Sequence, residues 1–190
     1  MARYAFDGET VTLYLTNGDV ELLDSLSEQL IELLVDSAPA SPEVDPDDPF
    51  SMWEADLAHE PEDSEPPEDP ALQRLFPNPY PNDARAAFDF RRYTESDNRR
   101  AKIEDARTLR RGLAEAPPIR LPKDQVDPWL RTLNALRLVL ASRLGIDDEK
   151  AMDELHEADD SDPRALMLGV MDWLAYLQGV IIELVMPGLE

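Results

Sequence analysis

The chain has 190 residues, 43% of them hydrophobic, enough for one domain with a buried core. Aspartate and glutamate total 41 against 18 lysines and arginines, a net charge of −23. With no cysteine, disulfides, thiolate catalysis, cysteine-bound zinc and a thiol redox switch are excluded, and two histidines leave little for histidine-based sites.

Met1 to Thr16 alternates apolar and polar residues around Asp7-Gly8, which predicts a β-hairpin with Phe6, Val11, Leu13 and Leu15 on one face. Two strands are marginal alone, so they must pack on helices. Asn17-Gly18-Asp19 breaks the strand. Leu22, Leu23, Leu26, Leu30, Leu33 and Leu34 then recur at helical spacing to about Asp36.

Asp36 to Pro70 holds eight prolines, 13 acids and no base. Proline removes amide donors and fixes φ, so residues 37–70 are read as a long, mobile, acidic proline-rich loop inserted in a single domain spanning 1–190. Phe50, Met52, Trp53 and Leu57 form an apolar island in it. The island is expected either to clip onto the chain's own surface or to dock on a partner. Prolines keep Leu72 to Pro81 extended or turning.

Asn82-Asp83 caps a short helix reaching Arg91 or Arg92, and Ala84, Ala87, Phe88 and Phe90 face inward. Thr94-Glu95-Ser96-Asp97 reads as a variant capping box opening a second helix, Glu95 to about Glu115. Its apolar stripe is thin: Ile103, Ala106, Leu109 and Leu113. Asp127-Pro128 reads as a cap followed by proline, starting a helix that Gly145 ends. Trp129, Leu130, Leu133, Leu136, Leu140 and Leu144 line one side of it. Asp147 opens a short helix. Asp162-Pro163 starts the last one, which runs to about Met186 and is apolar nearly all round, so it is expected at the centre. The fold class is mainly α: a helical bundle with an N-terminal β-hairpin and a long acidic proline-rich loop.

The last helix is long enough to span a bilayer, but it carries Asp172, Gln178 and Glu183 and has no basic anchor behind it. A core or dimer-interface helix is the expected reading, and a homodimer follows as an expectation. The N-terminus lacks the basic start and apolar run of a signal peptide, so a cytoplasmic location is expected.

Charge is uneven. Tyr4 to Gln73 has 20 acids and no base; Arg74 to Arg143 is net +6; Leu144 to Glu190 is net −10. The basic middle concentrates Arg91, Arg92, Arg99, Arg100, Lys102, Arg107, Arg110 and Arg111. Paired guanidinium donors match phosphate or carboxylate oxygens. These eight residues are therefore the candidate contact to nucleic acid or an acidic partner, against the alternative that Glu95, Asp97, Glu104, Asp105 and the acidic loop neutralise them. The overall negative charge opposes free-standing DNA binding. Each histidine follows an aspartate by three residues, Asp56 with His59 and Asp153 with His156, but surface histidines are expected rather than a metal site. There is no glycine-rich phosphate loop and no G-x-S-x-G. No enzyme activity, cofactor or metal is expected.

FRRYTESDNRRAK (Phe90 to Lys102), WLRTLNALRLVLASRLGI (Trp129 to Ile146) and DWLAYLQ (Asp172 to Gln178) carry a resemblance. They are similar to an actinobacterial family of unknown function, encoded beside the protease adaptor ClpS and named after the oxidative-stress transcriptional regulator AosR. The likeness covers the N-terminal hairpin and helix, then Leu75 to Gln178, and leaves out the acidic insertion. It implies a cytoplasmic, non-enzymatic regulator that contacts a sigma factor or RNA polymerase, with DNA as a further contact. The cysteine pair through which that regulator is thought to respond is absent here, so no redox step carries over. The competing expectation is an acidic protein-interaction module linked to proteolysis or another cytoplasmic partner, with Phe50, Met52, Trp53 and Leu57 as its docking element.

Overall fold

The computed structural model describes residues 4–38, 67–115, 117–157 and 162–186. Strands β1 (Tyr4–Phe6) and β2 (Thr10–Leu13) form the expected hairpin, with Tyr4 opposite Leu13 and Phe6 opposite Val11. Gly8 turns the chain at φ 100°, and Asp7 accepts from the amides of Glu9 and Thr10 at 3.0 and 2.8 Å. Those two bonds, Glu9 first, hold the Asp7 carboxyl below its ordinary range.

A third strand was not anticipated. β3 (Ile119–Pro122) pairs antiparallel with β2, Leu13 opposite Ile119 and Val11 opposite Leu121. Val11, Leu13, Ile119 and Leu121 all point into the core from one face of the sheet.

Strand β2 ends before Asn17-Gly18-Asp19, and those three residues form the first turn of helix α1 (Asn17–Asp36). Thr16 is the N-cap: its hydroxyl accepts from the Asp19 amide and the Asp19 carboxylate accepts from the Thr16 amide, a reciprocal box. Leu23, Leu30 and Leu34 are buried. Helix α2 (Pro70–Leu75) replaces the extended path expected after Leu72, because Asp69 caps it through the Ala71 amide and Pro70 opens its first turn.

Helix α3 (Ala84–Leu113) is one continuous helix where two were expected. Asp83 caps it as anticipated, through the Ala86 amide at 2.9 Å. Thr94 caps nothing: its hydroxyl donates back to the Phe90 carbonyl at 2.7 Å, which leaves the helical ladder intact. Ala87 and Phe88 are buried, whereas Ala84 and Phe90 are exposed.

Helix α4 (Lys123–Leu144) starts directly after β3, so Pro128 lies inside it rather than at its first position. Gly145 ends it at φ 71°. Asp148 caps α5 (Glu149–His156), and α6 (Ala165–Val185) follows.

The centre of the bundle is α4, not the last helix. It packs against α6, α3, α2, α1 and β3. Trp129, Thr132, Leu133 and Leu136 are buried along it. Helix α6 buries only one side, through Leu168, Met171, Leu174, Leu177 and Ile181. Its apolar excess therefore exceeds what the core needs. Residues 39–66, with Phe50, Met52, Trp53 and Leu57, lie outside the described residues.

Candidate functional site

Continuity of α3 places Arg92, Arg99 and Arg110 near one side of the helix. Two of these meet α1 rather than solvent. Arg99 is 5% exposed, and donates to the Leu34 carbonyl (2.8 Å), the Ser37 hydroxyl (2.7 Å) and the Glu95 carboxylate (2.7 Å). Its guanidinium also stacks 4.7 Å from the Phe76 ring centroid. Arg110 forks onto Asp24 at 2.7 and 3.1 Å and reaches Glu28 at 3.3 Å. That fork holds the Asp24 carboxyl below its ordinary range. Arg99 and Arg110 are thus braces between α3 and α1; burial takes Arg99 out of the expected contact surface, whereas Arg110 keeps 32% of its side chain exposed.

Arg100, Arg107 and Arg111 do lie on the solvent side, but acids alternate with them. Arg100 meets Asp97 at 3.1 Å, and Glu104 takes Arg111 at 2.8 Å and Arg107 at 3.9 Å. Exposed pairs of this type add little stability, about 0–1 kcal/mol. They do lower the positive potential that a phosphate backbone would feel. Arg91 and Arg92 are half-buried, and Arg92 lies 5.5 Å from the Tyr93 ring centroid.

Lys102 behaves differently. It is half-buried between two concavities of about 250 and 240 Å³ and, with Asn98, lines both. One side offers Asn134 and Arg131; the other offers Phe76, Pro77 and Phe90. Asp105 beside it gives both oxygens to Arg131, at 2.7 and 2.9 Å. Burial pushes the Lys102 ammonium below its ordinary value, Asp105 opposes that shift and Arg131 adds to it.

The second surface is the open side of α6. Leu166, Trp173, Tyr176, Val180 and Leu184 follow at helical spacing and form one apolar stripe. Leu166 is 81% exposed and Tyr176 55%; Val180 is half-buried, and Trp173 and Leu184 are half-buried against the core. Gly169 and Gly179 leave open space where a Cβ would stand. The stripe is held at a fixed angle to α4 by Arg137, which donates to Gln178 at 2.7 Å, while Gln178 donates to the Leu130 carbonyl. Tyr4 of β1 packs edge-on against Tyr176 at 6.2 Å. Sequence showed the apolar excess of this helix but not which side stays open.

His156 bridges α5 to α6, with Nδ1 3.0 Å from the Met152 carbonyl and Nε2 3.1 Å from Asp172. Its partner is therefore Asp172 on the next helix, not Asp153 three residues before it. Among the described residues no group of three or more histidine, aspartate or glutamate side chains converges to hold a metal. Both ring nitrogens face acceptors, so the Met152 carbonyl first, and Asp172 next, raise the imidazole above its ordinary value of about 6.5. A raised folded-state value means that this bridge contributes fully below about pH 6.5 and is lost as pH rises through the folded value. An NMR titration should place the His156 midpoint above about 6.5, and Asp172→Asn should lower it. A wild-type midpoint at or below the ordinary value contradicts the bridge.

The fold is thus a mainly helical bundle, closed on one side by a small antiparallel sheet. It presents one apolar helix face and one cation held between two grooves. The chain belongs to the family described as domain of unknown function DUF2017, whose model matches residues 1–185. No significant match is found among curated proteins or among solved structures.

Proposed function

We propose that this protein is a non-enzymatic regulator that works through protein contacts, and that the open side of α6 is its main contact element. The observation that supports this most is the exposure of two large apolar side chains, Leu166 and Tyr176, on one face of a helix whose opposite side is already packed. Large apolar side chains exposed on one helix face suit a protein contact. The helix is long and apolar enough to cross a bilayer, with a mean hydropathy of 1.7. Asp172 and Glu183 are exposed on it, however, and each would cost about 3 kcal/mol at bilayer depth. A protein partner accommodates such acids at its rim.

The partner class follows from the resemblance of the three motif segments: a sigma factor or a subunit of RNA polymerase, in the cytoplasm. DNA takes a lesser place in this reading. The solvent-facing arginines of α3 are interleaved with acids, and the chain as a whole is strongly negative.

The test is retention of partners by the tagged chain from nuclease-treated extract, at low and moderate salt, read by mass spectrometry. A sigma factor or polymerase subunits should be recovered at both salts, because an apolar contact is weakly screened. Recovery of protease components in their place, or sedimentation as a stable dimer closed through α6, would overturn the assignment.

A further inference from the structure

Arg99, Arg100, Arg107, Arg110, Arg111 and Arg131 each reach a carboxylate within the chain. Lys102 forms no such pair among the described residues, although its side chain is half-buried. Its nearest carboxylate, Asp105, already gives both oxygens to Arg131, so a ligand carboxylate would supply the hydrogen-bonded counter-charge that this half-buried ammonium lacks.

The surroundings define the ligand further. On one side of Lys102 the groove has an apolar part, Phe76, Pro77 and Phe90, beside Arg91 and a Glu95 carboxylate already paired with Arg99, and the Lys102 ammonium lies 5.9 Å from the Phe76 ring centroid. On the other side Asn98 and Asn134 supply amide donors and acceptors. A free anion would use the cation but not the aromatic wall. An apolar ligand would use the wall but leave the ammonium unpaired.

We propose that the paired grooves flanking Lys102 bind an acidic peptide segment of a partner protein, with a carboxylate on Lys102 and an adjacent aromatic side chain against Phe76 and Phe90. This rests on the reading of the protein as a contact regulator, but it uses a surface separate from α6. The ligand lies across α3, its backbone meeting Asn98 and Asn134. A bound carboxylate would favour the ammonium form of Lys102, against the lowering that burial causes.

The test is fluorescence anisotropy with a short labelled peptide of Asp, Glu and Phe, against the full chain. Lys102→Met should weaken binding about tenfold or more, as loss of a charge-assisted bond implies. Lys102→Arg should restore most of it, and Arg107→Ala on the outer face should change nothing. The same peptide with Asn and Gln in place of its acids should bind as weakly as the Met variant does. Circular dichroism checks that the variants fold. Leu166→Glu, which probes the α6 reading, should leave peptide affinity unchanged, so the two readings fail separately. Equal binding by wild type and Lys102→Met overturns the proposal. So does displacement of the peptide by inorganic phosphate at comparable concentration, which would mark a simple anion site. So does a shift of the amides of residues 50–57 when Lys102→Met is made without peptide, which would make the chain's own acidic segment the occupant.

Discussion

Replacing Arg99 by methionine should destabilise the fold by about 3–5 kcal/mol, the cost of removing one partner from a buried pair. The loss has three parts. Glu95, mostly buried beside it, loses its counter-ion. The Leu34 carbonyl at the end of α1 loses its donor, and so does Ser37 just beyond it. The stack on Phe76 goes too, which loosens the segment after α2. Lysine should not rescue, because one ammonium cannot reproduce a fork that reaches three acceptors on two elements. Urea unfolding followed by circular dichroism reads this as a lower midpoint with an unchanged slope. A loss below about 1 kcal/mol, typical of an exposed pair, would return Arg99 to the surface.

Trp129→Ala should cost a similar about 3–5 kcal/mol, for a different reason. The indole is fully buried in the central helix and fills the space beside α3. Its fit depends on Gly112: a Cβ there would stand 3.1 Å from the Trp129 ring. That distance is too short unless the ring moves, and the packed core around it resists movement. Truncation therefore opens a cavity between α3 and α4 rather than a collapsible edge. Because a domain's net stability is only about 5–15 kcal/mol, either variant removes a large share of it. A thermal midpoint unchanged by Trp129→Ala would contradict this packing.

The long helices were legible because leucines at three- and four-residue spacing mark a buried face without any tertiary information. The hairpin was legible because Asp7-Gly8 states its turn locally. β3 was not, because its four residues, preceded by Pro118 and ending in Pro122, offer only Ile119 and Leu121 as alternation, and the strand they pair with lies far away near the N-terminus. The joint at Thr94 was misread because a threonine followed by an acid serves a cap and a back-bonded helix interior equally well. The cationic cluster was visible as composition, but its division was not. Arg99 and Arg110 are drawn inward by Ser37 and Asp24, which are distant in sequence. What singles out Lys102 is that Asp105 is already held by Arg131, a relation between α3 and α4 that no local pattern records.

The proposed functional contact runs through the open side of α6. Its most direct test compares wild type with Leu166→Glu and with Tyr176→Glu in side-by-side capture from nuclease-treated extract. Both side chains are largely exposed, so both variants should fold as wild type does. Wild type should retain a sigma factor or polymerase subunits, and both variants should lose them. Undiminished capture by the two variants, or no transcription protein on the wild-type chain, would contradict it.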